Sequence, residues 1–210
     1  MQSAVADMLA RVGGAPTPGT QRARQTTQPQ TSSEPLQSAS RSDPSTGPGS
    51  EVLRNKNFED LLYIDLSYGR VIVEMRSDLA PRHVARIKAL VRSGFYDGLA
   101  FHNVIPGRFS MSGDPTGTGR GGSGMTLDAE FSNETFGRGS IGMAHDRGKP
   151  NSADSQFFVS LQPFPDLDGK YTLWGQVIHG MQFIDQLRAG SPPAKPDIIL
   201  RMRVAADVTG

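Results

Sequence analysis

The sequence predicts a mainly β domain with two α-helices, preceded by a disordered N-terminal extension. Short runs of β-branched and aromatic residues recur along residues 57–210, separated by glycine, proline and asparagine, which is typical of strands and turns. Two segments of this part show the apolar period of a helix instead. Residues 13–50 consist mainly of Gln, Ser, Thr, Pro and Gly. They bury too little apolar area to offset about 1 to 2 kcal/mol of backbone entropy per ordered residue.

Composition excludes several classes of function. The 210 residues contain no apolar run near the length of a membrane span, so we expect one sizeable core and no membrane span. A formal net charge of +1 gives no reason to expect nucleic acid as a partner. The absence of cysteine excludes disulfides, thiolate catalysis and cysteine-based zinc sites, and fits a reducing compartment or a periplasm.

Residues 1–56 are predicted to be the disordered extension, with a short helix over residues 2–12 that offers a docking site for a partner. Asp7 interrupts the only apolar stretch and no basic residue precedes it, so a secretory signal is disfavoured. A cytoplasmic location is expected, with organelle targeting through the Arg- and Ser-containing tail or a periplasmic location as open alternatives.

The folded part opens with a predicted β-hairpin, Leu61–Leu66 and Val71–Met75, around a turn at Gly69. A helix follows from Pro81, whose missing N–H costs nothing at a first helical position, to a stop at Gly94. Its apolar face comprises Val84, Ile87, Leu90 and Val91, and its basic residues, Arg82, Arg86, Lys88 and Arg92, indicate a solvated face. His83 is expected to be exposed.

Further strands and a second helix are predicted downstream. Leu99–Ile105 is typical of a strand, and residues 141–160 predict a strand, a polar loop and a second strand. A further strand is predicted over Tyr171–Val177, with Trp174 as a core residue. Residues 181–187 predict a helix, and residues 198–208 a closing strand.

Gln156 and Phe158 fall on the same face of their predicted strand, because side chains alternate. An amide beside an aromatic ring suits a cleft that binds a peptide backbone and an apolar ring. The alternative is a core strand whose glutamine is satisfied by neighbouring backbone.

Two further motifs are weak. Gly117, Gly119 and Gly122 form a literal GxGxxG, but residues 125–131 show no helix cap or helical stripe, so a glycine-rich surface loop is predicted rather than a dinucleotide site. The four histidines have no metal-ligand spacing and no nucleophile elbow is present, so neither a metal nor a cofactor is expected.

Three stretches occur together in a distinctive order and spacing: residues 101–107 (FHNVIPG) with Gly113-Asp114, residues 155–158 (SQFF), and residues 167–171 (LDGKY). On these motifs the chain resembles the cyclophilin-type peptidyl-prolyl cis/trans isomerases over about residues 61–208. The resemblance implies a closed eight-stranded antiparallel β-barrel capped by two helices, over residues 57–210. It also implies prolyl isomerisation that assists protein folding, with proline-containing polypeptides as substrates. The substrate-binding residues implied are Phe109, Met111, Ala144, His145, Phe158, Leu167 and Tyr171.

The resemblance implies Asn103, Arg108 and Gln156 as the catalytic residues; Gln156 matches the family pattern, and the chain departs from it at Asn103, Arg108 and Met111. The family places arginine where Asn103 stands, an apolar residue where Arg108 stands, and glutamine where Met111 stands. Arg108 lies five positions from Asn103, an offset that only the Pro106-Gly107 turn can overcome. We therefore expect an isomerase of reduced activity; the alternatives are a non-catalytic proline-peptide-binding or scaffold module and a structural subunit of a larger assembly.

Overall fold

The computed structural model describes residues 53–208, which form one eight-stranded antiparallel sheet curled into a half-barrel with two α-helices. This confirms the predicted fold class. The predicted helix over residues 2–12, its docking role and most of the extension lie outside the described residues.

The strands are β1 (Leu61–Leu66), β2 (Gly69–Met75), β3 (Asn103–Ile105), β4 (Phe109–Ser112), β5 (Ser140–Met143), β6 (Phe157–Ser160), β7 (Leu173–His179) and β8 (Arg201–Val204). Their spatial order in the sheet is β3-β4-β6-β5-β7-β2-β1-β8. The helices are α1 (Pro81–Arg92) and α2 (Met181–Ile184). Short 3₁₀ turns cover Phe58–Asp60, Pro150–Ser152, Pro165–Leu167 and Ala205–Asp207.

The two edge strands, β3 and β8, do not pair with each other in a regular ladder. The irregular segments that precede them are instead connected by single backbone hydrogen bonds. The N–H of Phe101 donates to the carbonyl of Asp197 at 2.8 Å, and the N–H of Ile199 donates to Leu99 at 2.9 Å. These bonds explain why the predicted strand Leu99–Ile105 is regular only from Asn103. Its first residues form hydrogen bonds with the segment that precedes β8 instead of pairing with β4.

The main core lies between α1 and the sheet. The apolar face of α1 is buried, and α1 packs against β8 and β7. Trp174 on β7 is fully buried in this core, as predicted. The second helix is shorter than expected, because Leu187 forms only a turn with Ile184 after the helix ends.

The expectation that His83 is exposed is wrong. Its side chain is fully buried, with Nδ1 2.6 Å from Oε2 of Glu130. Glu130 also accepts hydrogen bonds from the backbone N–H groups of Arg82 and His83, in the first turn of α1. A carboxylate at the N-terminus of a helix accepts hydrogen bonds from otherwise unpaired N–H groups, and its negative charge interacts favourably with the helix dipole. Burial lowers the pKa of His83, while Glu130 acts to raise it.

None of the helices within residues 53–208 has the length and apolar character needed to cross a membrane.

Candidate active site

Residues from five neighbouring strands form a single row across the sheet. Asn103 on β3 pairs with Met111 on β4, and Met111 pairs with Phe158 on β6. Phe158 in turn pairs with Gly142 on β5, which pairs with Leu173 on β7. Directly paired residues share a face of the sheet. The strand pairing therefore brings Asn103 to the same face of the sheet as Phe158.

Six of the seven predicted substrate-binding residues gather in one apolar cluster on this face: Phe109, Met111, Ala144, Phe158, Leu167 and Tyr171. Ala144 is the most exposed of them at 7%, and the other five do not exceed 2%. A side chain without accessible surface offers a ligand no contact until a neighbour moves. The cluster is therefore closed in this conformation.

Two aromatic residues that the motifs did not indicate complete the cluster. The ring of Phe136 stacks on Phe158 with centroids 5.7 Å apart, and Phe164 packs beside them. The N–H of Phe164 donates to the carbonyl of Phe136 at 2.7 Å, which joins their two loops. Both residues occur singly in irregular segments, so no strand or helix period marks them.

Asn103 is buried, with 3% of its surface exposed. Its Nδ2 lies 3.6 Å from the Sδ of Met111, a weak acceptor. Its Oδ1 accepts no hydrogen bond from any residue between Leu53 and Val208. Leaving a buried polar group unsatisfied costs about 1 to 3 kcal/mol, and such groups in folded proteins often have a functional explanation. The amide is thus weakly held at the edge of an apolar cluster.

Arg108 lies in the turn between β3 and β4, where its N–H donates to the carbonyl of Ile105 at 3.0 Å. Its guanidinium carbon is 5.9 Å from the centroid of the Phe164 ring. The turn therefore does bring this cation to the cluster, despite its unfavourable offset from Asn103. It reaches the rim beside Phe164.

His145, the seventh predicted binding residue, lies flat against Tyr171 with ring centroids 4.3 Å apart. Its ring nitrogens lie 2.8 Å from the carbonyl oxygen of Asp146 and 3.1 Å from that of Lys170. Burial raises the pKa of Tyr171, and the charge of Arg147 opposes this. The phenol is therefore protonated at neutral pH, and the stacked imidazole helps to bury it.

Gln156 precedes β6 and faces the glycine-rich loop of residues 115–124. Its Nε2 donates to the carbonyl of Gly121 at 2.8 Å. It also lies near His102, which is buried; burial lowers the pKa of this histidine, whereas Asp114 and Gln156 act to raise it. Gln156 is thus fixed against the loop, beside the aromatic row.

Asp114 holds the first half of the same loop. Its carboxylate accepts hydrogen bonds from the backbone N–H groups of Thr116, Thr118, Gly119 and Arg120 and from the Thr116 hydroxyl. Burial acts to raise the pKa of Asp114, but these hydrogen bonds lower it to about 2. The predicted loop therefore has a fixed shape, and no helix follows it, as expected.

The described part of the chain contains no group of three or more His, Asp or Glu side chains arranged to hold a metal ion.

The family model for cyclophilin type peptidyl-prolyl cis-trans isomerase/CLD matches residues 61–204. Over 166 residues the chain is 43% identical to the probable peptidyl-prolyl cis-trans isomerase of Brucella suis, covering 71% of this chain and 84% of that protein. Over 137 residues it is 39% identical to peptidyl-prolyl cis-trans isomerase B of Bacillus subtilis, covering 64% and 90%.

Two solved structures have the same fold. A cyclophilin from Hirschia baltica is similar with a TM-score of 0.68 and 25% identity, covering 78% of this chain and 82% of that one. A cyclophilin-type isomerase from Cryptosporidium parvum, solved in the presence of the dipeptide Ala-Pro, is similar with a TM-score of 0.65 and 30% identity. That alignment covers 69% of this chain and 98% of the other.

Proposed function

The chain belongs to the cyclophilin-type peptidyl-prolyl cis-trans isomerases, a family of isomerase enzymes, and we propose that it isomerises Xaa-Pro bonds at the row that begins with Asn103. The single observation that carries this assignment is the buried amide of Asn103, which lies in register with Met111 and Phe158 and has an unpaired oxygen among the described residues.

Prolyl isomerisation needs no nucleophile. Rotation about an amide bond costs about 18 to 20 kcal/mol because conjugation is lost in the twisted state, and the nitrogen then carries a localised lone pair. A hydrogen bond donated to that nitrogen is stronger in the transition state than in the ground state. An interaction that strengthens in this way lowers the barrier to rotation and so accelerates the reaction. The Nδ2 of Asn103 is such a donor, and its present acceptor is a weakly accepting sulfur.

Two features support a rate below that of an arginine-containing relative. A neutral hydrogen bond contributes about 0.5 to 1.5 kcal/mol, against about 1.5 to 3 for a charged one. In addition, the rings that would contact proline are closed off, so part of the binding energy is needed to open the cluster. The first feature lowers turnover, and the second weakens binding.

The substrate class follows the same reasoning. The relative from Cryptosporidium parvum was solved in the presence of Ala-Pro. We assign short Xaa-Pro segments to the face of this chain lined by Phe158, Ala144 and Gln156. The amide of Gln156 would hold the peptide backbone, while the apolar cluster takes the proline ring.

The test is an NMR exchange measurement on an Xaa-Pro peptide with the full chain, performed beside Asn103→Ala. We expect the parent to exchange the peptide faster than the uncatalysed rate, and Asn103→Ala to exchange it more slowly than the parent. Exposed Phe131→Ala is the matched control and should equal the parent. Peptide binding without exchange would instead establish a non-catalytic binding module.

A further inference from the structure

The second half of the glycine-rich loop is held by Asp154, a residue outside the family motifs quoted above. One carboxylate oxygen of Asp154 accepts from the backbone N–H of Ser123 at 3.0 Å and from the Ser123 hydroxyl. The other accepts from the N–H of Gly124 at 2.9 Å. Arg86 of α1 donates to the same Ser123 hydroxyl at 2.7 Å. The loop end is thus tied both to the segment that leads into β6 and to α1.

The neighbouring glycines pass between two carboxylates with no room for a side chain. A Cβ atom on Gly122 would lie 2.9 Å from Cγ of Asp154, and one on Gly121 would collide with the carboxylate of Asp114. A residue larger than glycine would displace the loop or one of the carboxylates. The position of this backbone therefore depends on Asp154 at one side and Asp114 at the other.

The side chain of Gln156 is hydrogen-bonded directly to that backbone. Its Nε2 donates to the carbonyl of Gly121, the residue that precedes Gly122. Asp154 and Gln156 stand two positions apart on the segment leading into β6 and hold the same loop at adjacent points. A shift of the loop away from Asp154 would carry the Gly121 carbonyl with it and turn the Gln156 amide.

We propose that Asp154 is a positioning residue for prolyl isomerisation, acting through Gln156 by fixing the Gly121–Gly124 part of the loop. The inference rests on the proposed function, in which Gln156 holds the substrate backbone. Asp154 itself does not touch the reacting bond. Its removal should therefore cost activity only as far as Gln156 contributes to it.

A double-mutant cycle in the full chain tests this dependence. Asp154→Ala and Gln156→Ala should each lower kcat/KM by about tenfold, mainly through KM, because both loosen the substrate backbone. The double variant should be no slower than Gln156→Ala alone. Losses that multiply would overturn the proposal, because they would show that Asp154 acts independently of Gln156.

Matched variants separate positioning from folding. Asp154→Asn keeps one acceptor oxygen and should restore most of the activity lost in Asp154→Ala, and it also serves where the alanine variant does not fold. Asp128→Asn removes a charge from an exposed side chain four positions after the end of the loop and should leave kcat/KM unchanged. A full loss in Asp154→Asn, in a protein as stable as the parent, would contradict the mechanism.

A second readout does not depend on turnover. In the ¹⁵N-labelled full chain, Asp154→Ala should shift or broaden the side-chain amide signals of Gln156, because the Gly121 carbonyl moves, whereas Asp154→Asn should leave them close to those of the parent. Unchanged Gln156 signals in Asp154→Ala would overturn the proposal. A parent chain without turnover would contradict the proposed function, and the Gln156 signals would then alone decide whether Asp154 positions Gln156.

Discussion

The ring of Phe158 lies over the backbone of Gly142 on the neighbouring strand, so closely that a Cβ atom there would stand 2.7 Å from Cε1 of the ring. The two residues are directly paired between β6 and β5. The absence of a side chain at Gly142 is what allows Phe158 to lie down between Phe136 and Tyr171. The closed state of the apolar cluster therefore depends on this glycine.

Gly142→Ala should destabilise the protein by about 1 to 3 kcal/mol, the usual cost of overpacking a core. The added methyl must displace the Phe158 ring, and the backbone at Gly142 is not in the left-handed region, so the effect is steric. Urea unfolding measures it. Gly137→Ala is the control, since a Cβ there meets nothing within 4 Å, and its stability should stay within about 0.5 kcal/mol of the parent. Equal stabilities of the two variants would contradict the packing described.

Phe158→Ala should lower the free energy of unfolding by about 3 to 5 kcal/mol, as well as weakening peptide binding. The ring is fully buried, so its removal leaves a cavity rather than only an altered surface. Phe131→Ala, at a ring that is 44% exposed, is the comparison and should change stability little. Calorimetry that finds both variants equally stable would show that the cluster is open in solution.

The carboxyl of Asp114 should make the free energy of unfolding fall as the pH is lowered into the acid range. Its pKa is about 2 in the folded chain against an ordinary 3.8, so its ionised form is favoured by folding. The contribution is fully present above about pH 4 and is lost as the pH falls toward 2. The shift corresponds to about 2 kcal/mol.

The measurement compares unfolding free energies of the parent and Asp114→Asn between pH 6 and pH 2. The parent should lose about 2 kcal/mol more than the variant over this range, because all other carboxylates are common to both. Asp128→Asn, where the side chain is 66% exposed, should follow the parent. Parallel curves for the parent and Asp114→Asn would show that the loop does not depend on this carboxylate.

Local pattern predicted a β-rich domain with two helices, and the resemblance added the eight-stranded antiparallel arrangement. The hairpin at Gly69 and the helix from Pro81 appear where turn chemistry and apolar period placed them. Period alone does not show partners, however. His83 shares the buried face of α1 with Ile87 and Leu90, and its partner there is Glu130, 47 positions later in the chain.

The same limit applies to the site. Residues that the resemblance implied for the site, such as Met111 and Phe158, lie together because their strands pair in register. Phe136 and Phe164 enter the cluster from irregular loops, and Asp154 accepts hydrogen bonds from backbone N–H groups 30 and 31 positions earlier in the chain. Such contacts depend on how loops cross in three dimensions. The sequence contains no local period that reports them.

The final prediction concerns which group donates to the prolyl nitrogen. Asn103→Arg should raise kcat/KM by about tenfold with little change in peptide affinity, because a charged donor exceeds a neutral one by about 1 to 1.5 kcal/mol and acts chiefly in the transition state. Arg108 is the competing donor, since its guanidinium already reaches the cluster rim 5.9 Å from the Phe164 ring. If Arg108 serves, Arg108→Ala abolishes turnover and Asn103→Arg gains nothing; if Asn103 serves, Arg108→Ala retains turnover and Asn103→Ala loses it. Single-turnover exchange rates with one Xaa-Pro peptide decide between these patterns, and identical rates for all three variants would show that isomerisation does not occur at this row of residues.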